Sequence, residues 1–355
     1  MRKYLNLTTV LIVIAFLFLS FLVQLDYYLI RPGTAEELSA MIQVEGKGRE
    51  ETGNFFMVTV AQQQANLWGL IYAYLDPAID ICPISKVLPP DMSNEEYNKI
   101  MQSWMLDSKY LAQIIALRRA GYEVPITSDG VEVVEIIPGS PAEGILLPGD
   151  IIKAIGNRKI NLAEEVVQQI QQKGIGEMVR LTVQRNGELK EYELRTTSHM
   201  DEPQQAALKI YVRTLNWQPL LPLEIDINTG PVIGPSAGLM FVLEILDRVT
   251  PENLTGGHSI AGTGTITINE RVGSIGGVKQ KVITAEKAGI EYFLVPWENY
   301  EEAKEVARNI KVVPVGELRD ALTFLEGLGV NKKISYNNTT DFWKSSPAFL
   351  WASKG

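Results

Sequence analysis

A chain of 355 residues is long enough for two or three domains, and a composition of 46% hydrophobic and 21% charged residues is that of a folded globular protein. The net charge of −9 argues against a nucleic-acid-binding surface. A single cysteine, Cys82, excludes an intramolecular disulfide framework and reads as a small buried apolar residue.

Residues 5–25 carry no charge, and about 20 helical residues suffice to cross the hydrocarbon core of a bilayer. Arg2 and Lys3 precede this run, so the N-terminus is expected in the cytoplasm and the rest of the chain outside it. A cleaved signal peptide has a similar charged start. The apolar run is long for one, however, and no small-residue cleavage site precedes Asp26-Tyr27-Tyr28. A single-pass, uncleaved anchor in the cell membrane is therefore expected, with Tyr27 and Tyr28 at its outer interface. Residues 31–120 show a strand over 54–61 and a short helix over 67–75. A Ser93-x-x-Glu96 capping box opens a helix over 94–120. No catalytic motif lies there, and the region reads as scaffold that braces later domains.

From residue 121 to 197 the pattern turns to short strands. A strand over 131–137 leads into Pro138-Gly139-Ser140-Pro141-Ala142-Glu143-Gly144 and then Gly149-Asp150-Ile151-Ile152. Asn161 is placed to cap a helix whose apolar face is Leu162, Val166 and Ile170. Asn186-Gly187 between two alternating runs is a two-residue hairpin signal. A polar linker containing His199 follows, and the second histidine, His258, sits in a glycine-rich turn. Neither histidine reads as part of a Ser-His-Asp triad. The H-E-x-x-H pattern is absent, and no metal site or cofactor is expected.

Residues 205–328 alternate strands and helices: strands over 223–227, 260–268, 292–295 and 312–315, with helices between and after them, an α/β arrangement. Residues 331–355 form an appended tail. Within the α/β segment, Gly234-Pro235-Ser236-Ala237-Gly238-Leu239 presents a serine among small residues at the start of an apolar helix. Pro235 pre-sets its own φ. Ala237 and Gly238 leave room for a substrate backbone, and amides at a helix start could stabilise an oxyanion. A second helix follows Gly276-Gly277 and carries Lys279 and Lys281. At about 100° per residue, Lys281 falls within the apolar stripe of Val278, Val282, Ala285 and Ala288, while Lys279 falls outside it. A desolvated amine loses basicity and could take a proton from Ser236. The alternative is that Lys281 merely runs along the helix to solvent.

Gly-Pro-Ser-Ala-Gly-Leu, then Ile260-Ala261-Gly262-Thr263-Gly264-Thr265-Ile266, then Val272-Gly273-Ser274-Ile275-Gly276-Gly277-Val278-Lys279-Gln280-Lys281, resemble the proteolytic domain of Lon-type serine peptidases. The likeness extends over residues 205–328. It implies a Ser–Lys dyad at Ser236 and Lys281 and serine-type endopeptidase activity. Thr263 is either an orienting partner of Lys281 or an ordinary strand threonine. Large members also carry an ATPase module, but no G-x-x-x-x-G-K-[ST] occurs here, so activity without ATP is expected. Many ATP-dependent members have aspartate three residues before the serine, where this chain has Ile233.

Residues 121–197 resemble a PDZ domain of the bacterial protease-associated kind. PDZ domains bind extended peptides by strand addition. The nearest match to their carboxylate-binding loop is Gly121-Tyr122-Glu123-Val124, in which Glu123 replaces the second glycine. That departure leaves two readings, a peptide-binding loop or a module for packing and regulation. Taken together, the chain resembles membrane-anchored, PDZ-containing Lon-like proteases. The expected fold is an α/β (α+β) proteolytic domain with an inserted or preceding PDZ domain and an N-terminal transmembrane helix. Protein or peptide substrates outside the cytoplasm or in the membrane are implied, no nucleic-acid partner is expected, and self-association is left open. The rival reading is a non-catalytic PDZ scaffold on an inactive peptidase fold.

Overall fold

The computed structural model describes residues 11, 20–21, 23–46, 53–88, 92–200 and 202–328. The first part of the chain supplies β1 (Gln24–Glu37), β2 (Ile42–Val44), β3 (Asn54–Asn66), α1 (Leu67–Leu75), β4 (Asp80–Pro83) and the long helix α2 (Asn94–Arg119). The middle supplies β5 (Gly130–Ile136), β6 (Ile151–Ile155), α3 (Ala163–Gln171), β7 (Met178–Arg185), β8 (Glu188–Arg195) and β9 (Ile210–Leu215). The last part supplies β10 (Ile225–Ile227), α4 (Gly238–Val249), β11 (Ser259–Gly262), α5 (Val278–Lys287), β12 (Tyr292–Pro296), α6 (Tyr300–Val306), β13 (Lys311–Val315) and α7 (Leu318–Gly327).

Side chains alternate across a strand, and β3 uses that alternation to serve two cores. Phe55 and Met57 face one core with α2 and α4, while Phe56 and Val58 face another with α5. Strand β11 continues the division, with Ile260 on the first side and Ala261 on the second. The resulting mixed sheet has the order β13-β12-β11-β3-β1-β4. Strands β3, β11, β12 and β13 run parallel, and β1 is antiparallel to both β3 and β4. Helices α4 and α5 therefore cover opposite faces of one sheet, which joins strands from residues 24–83 to strands from residues 259–315.

The segment between them builds its own sheet, β8-β7-β6-β5-β9, with Arg158–Lys159 paired to β6. Its separate core includes Val131, Ile152, Leu181 and Val183 under Val166 and Ile170 of α3. Helix α2 leads into this unit. At its start Ser93 Oγ accepts from the Glu96 amide (3.2 Å), and the Glu96 carboxylate accepts from the Ser93 amide (2.8 Å).

Several local expectations differ from the structure. The strand expected over 260–268 is broken into Ser259–Gly262 and Thr265–Ile266. Between them, the Gly264 amide turns to the Ser236 carbonyl. Asn161 does not cap α3. The Glu165 carboxylate instead accepts from the Asn161 and Leu162 amides, and Asn161 Oδ1 is buried without a hydrogen-bond partner. Cys82 is only partly buried, because β4 is an edge strand. Tyr28 is not an interface aromatic. It is buried in β1 with its hydroxyl donating to Asn94, whereas Tyr27 is exposed. The anchor expected over residues 5–25 lies outside the described residues, apart from Leu11, Ser20, Phe21, Val23 and the start of β1, and the tail over 331–355 lies outside them entirely. Among the described residues, no helix is long and apolar enough to cross a membrane.

Gly262 lets α4 approach the sheet closely. A Cβ there would stand 2.5 Å from Met240 Sδ and 2.9 Å from Leu294 Cβ. Gly262→Ala is expected to lower the unfolding free energy by about 1–3 kcal/mol, as overpacked cores do. Urea titration of the two proteins checks this, and equal midpoints would show that Met240 yields without cost.

Candidate active site

Ser236 lies in the turn that enters α4, two residues before the first helical residue. The helix starts at Gly238 rather than at Ser236, and Ala237 is its N-cap. Lys281 belongs to the first turn of α5, which begins after Gly277 in the left-handed conformation (φ +69°). These helices lie on opposite faces of the sheet, so their side chains can meet only beyond a strand end. That end is the carboxyl terminus of β11, the usual ligand position in parallel sheets.

There, Lys281 Nζ is 2.9 Å from Ser236 Oγ and 2.9 Å from Thr263 Oγ1. The Thr263 hydroxyl donates to the Ser236 carbonyl (3.0 Å), and the same carbonyl accepts from the Gly264 amide (2.7 Å). With its proton committed to that carbonyl, Thr263 Oγ1 accepts from Lys281. The Lys281 lone pair, when the amine is neutral, is thereby left for the serine hydroxyl. Lys281 is 3% exposed and Thr263 1%. Burial alone pushes the Lys281 amine down to about 7. Lys279, two residues earlier, instead reaches Asp80 at 2.6 Å.

Helix α2 holds the serine turn from behind. Ser108 Oγ donates to the Pro235 carbonyl (3.1 Å), and the Gly234 amide donates to the Met101 carbonyl (3.1 Å). A Cβ on Gly238 would lie 2.7 Å from Ser108 Oγ, so Gly238 provides the space for this approach. Its amide is engaged by the Pro235 carbonyl, and the Leu239 amide by the Gly264 carbonyl. Ser108 and Met101 were not legible as site residues, since the only sequence signal near them is the capping box of their helix.

The two histidines lie elsewhere. His258 precedes β11, at the end of that strand opposite Ser236 and Lys281, and its Nδ1 is 2.9 Å from a Glu291 oxygen. His199 accepts from the Glu202 amide and lines a groove in the middle unit. Among the described residues, no group of His, Cys, Asp and Glu is arranged to hold a metal ion.

Residues 121–124 are not among those that line the groove of the middle unit. Gly121 (φ +91°) ends α2, with its amide on the Arg118 carbonyl and the Tyr122 amide on the Leu117 carbonyl. This is a helix stop built on a left-handed glycine. Val124 is buried in the core beneath α2, Tyr122 packs against that core, and Glu123 is exposed. A groove of about 220 Å³ lies instead between α3 and the edge strand β9 with the residues preceding it. Val166, Val167 and Ile170 line it on one side, and Leu208, Ile210 and Val212 on the other. Lys209 there has φ +51°, a backbone state ordinarily given to glycine.

Two family models match parts of the chain. Residues 223–324 match the Lon protease (S16) C-terminal proteolytic domain, and residues 115–196 match the PDZ domain. The chain is thus a mixed α/β protein combining a PDZ domain with a Lon-type proteolytic domain, and in that sense it is Lon-like and PDZ-containing. Among curated proteins it is similar to the Lon protease of Campylobacter concisus, 37% identical over 107 residues, covering 29% of this chain and 13% of that protein. It is similar also to the Lon protease of Clostridioides difficile, 40% identical over 91 residues, covering 25% and 11%. The Lon protease of Buchnera aphidicola from Schizaphis graminum is 25% identical over 232 residues, covering 63% and 26%. The chain spans about a quarter or less of the length of these relatives. Among solved structures, the PDZ domain of an SdrC-like protein from Listeria monocytogenes is 23% identical with a TM-score of 0.23, covering 24% of this chain and 90% of that one.

The buried amine has a consequence for stability. Unfolded, Lys281 titrates at its ordinary 10.5; folded, at about 7. Below about 7 both states carry the proton and the folded state bears the full cost of a buried charge. Between those values the folded state is neutral, so stability rises with pH. Lys281→Met is expected to be more stable than the parent at pH 6, with an advantage that narrows towards pH 10. Thermal unfolding across that range checks it. An advantage independent of pH would mean that the amine is not desolvated in the folded protein.

Proposed function

We propose that the chain is a membrane-anchored serine endopeptidase that works without ATP, with Ser236 as nucleophile and Lys281 as general base. The observation that carries this reading is the buried Lys281 amine held 2.9 Å from Ser236 Oγ. A neutral amine at that distance can accept the hydroxyl proton at neutral pH. Ser236 Oγ attacks the scissile carbonyl as its proton passes to Lys281 Nζ. The developing oxyanion faces the amides of Ser236 and Ala237, the donors of this turn that carbonyls of Pro235 and Gly264 do not engage. Lys281 then returns the proton to the leaving amine. A water, deprotonated by the same amine, attacks the acyl-enzyme ester and frees Ser236. Thr263 acts through Lys281, fixing the direction of its lone pair.

The groove between α3 and β9 is the proposed site for an extended peptide. An open strand edge offers backbone pairing and the apolar walls offer side-chain pockets. The charge-free run over residues 5–25 anchors the N-terminus from the cytoplasmic side and places both domains outside. Substrates are then extracytoplasmic or membrane proteins with flexible segments, since no ATP-driven unfolding is invoked.

Full-length protein with casein, beside Ser236→Ala and Lys281→Ala, tests the dyad. Each substitution is expected to reduce cleavage by at least ~10²-fold. Cleavage surviving either change removes that residue from the mechanism, and an inactive parent favours the non-catalytic scaffold. In the active parent, kcat/KM is expected to rise with pH through about 7 as Lys281 loses its proton. A flat initial-rate profile from pH 5 to 9 would exclude Lys281 as the titrating base.

A further inference from the structure

Helix α1 has the sequence Leu-Trp-Gly-Leu-Ile-Tyr-Ala-Tyr-Leu, with no charged residue in it. A helix this apolar belongs in a core, yet only Ala73 is buried. Leu67, Trp68, Ile71, Tyr72, Tyr74 and Leu75 are all exposed, Tyr74 to 88%. At about 100° per residue these six occupy one continuous arc of about 160°, while Gly69, Leu70 and Ala73 turn towards the protein. Asn66 caps the helix with its side-chain oxygen on the Gly69 amide (2.7 Å), so α1 is a formed helix and not a frayed loop.

A second observation says what covers this face. The described end of the N-terminal apolar run is seated on α1. Trp68 Nε1 donates to Ser20 Oγ (2.7 Å), and the Phe21 ring stacks on the Trp68 indole with centroids 5.7 Å apart. Asn66 Nδ2 donates to the Phe21 carbonyl (3.3 Å). The uncharged run over residues 5–25 therefore ends against the same helix whose free side is apolar and aromatic. Trp and Tyr side chains, with an apolar body and a polar tip, favour the bilayer interface.

We propose that α1 is an interfacial helix, lying along the outer leaflet of the lipid bilayer beside the anchor and docking the proteolytic domain on the membrane surface. The inference rests on the anchor proposed above and extends it from a tether to a fixed seat. Aromatic and aliphatic side chains of α1 enter the headgroup region, and the Trp68 contacts to Ser20 and Phe21 brace the two helices there.

The test uses the full chain with Cys82→Ala and Tyr74→Cys, nitroxide-labelled, in phosphatidylcholine–phosphatidylglycerol vesicles. Leu75→Cys serves as a second label site, and Lys190→Cys on the β7–β8 hairpin reports the aqueous reference. Vesicle flotation is measured on the same samples. The expected result is co-flotation, with labels at 74 and 75 several-fold more accessible to oxygen relative to a soluble nickel complex than the label at 190. A chain that floats while labels at 74 and 75 match the one at 190 overturns the interfacial seat and leaves the anchor standing. A chain that does not float overturns both. Spin–spin broadening at 74 that disappears on dilution with unlabelled chain assigns the face to a second copy and also overturns the proposal.

Discussion

The structure depends on keeping one primary amine out of water beside one hydroxyl. An ammonium at Lys281 would be costly in a site 3% exposed, and the lowered basicity of the amine is the direct result of that burial. No carboxylate is needed to position it. Two hydroxyl oxygens at 2.9 Å hold the nitrogen, and one of them has already given its proton to a carbonyl. This donor–acceptor arrangement selects the direction of the lone pair and favours the charged form far less than a carboxylate neighbour would.

Such a meeting sets conditions on the backbone. Helices on opposite faces of a sheet converge only at a strand end, so β11 must stop after Gly262 and let Thr263 and Gly264 serve both sides. The Gly264 amide secures the serine turn, and its carbonyl receives the Leu239 amide. The serine turn in turn needs α2, whose Ser108 and Met101 hold Pro235 and Gly234. Residues far upstream of the Ser236 and Lys281 motifs thus help to position Ser236, and β1, β3 and α2 share a sheet or a core with the matched proteolytic segment.

Much of the site was legible because its signals are local. Small residues around Ser236 mark a close approach, and the stripe of Val278, Val282 and Ala285 marks which lysine turns inward. Residues 31–120 were legible as scaffold bracing the later domains, but the pairing itself was not, because β3 pairs in parallel with β11 from about two hundred residues away and no short-range pattern encodes that partner. Gly121 left two readings open for a related reason. A glycine before apolar residues fits a carboxylate-binding loop and a helix stop equally well, and the deciding hydrogen bonds run back to Leu117 and Arg118. The groove beside α3 went unseen since Lys209 holds its left-handed conformation without a glycine to announce it. Asn161 failed as a cap because the helix starts one residue later, with Leu162 at the cap position, and the Ala163 amide donates to Thr214 Oγ1.

The exposed helix and the buried amine are joined by a short connector. From α1 the chain passes through Asp76 to Ala78 and Asp80 at the start of β4. Asp80 accepts from Lys279 Nζ at 2.6 Å and from Gln280 Nε2 at 2.8 Å, and the Ala78 carbonyl accepts from Gln280 at 3.3 Å. Gln280 is fully buried and Lys281 is the next residue in the same helical turn. Helix α1 is tied to β3 through the Asn66 cap and packs on Leu29 of β1, and these bonds add a separate link from the end of its connector to α5. The first turn of α5 bonds to both the connector and the serine turn. The connector that follows the exposed helix α1 and the amine beside Ser236 are thus joined through one turn of α5, by Gln280 on one side and Lys281 on the other.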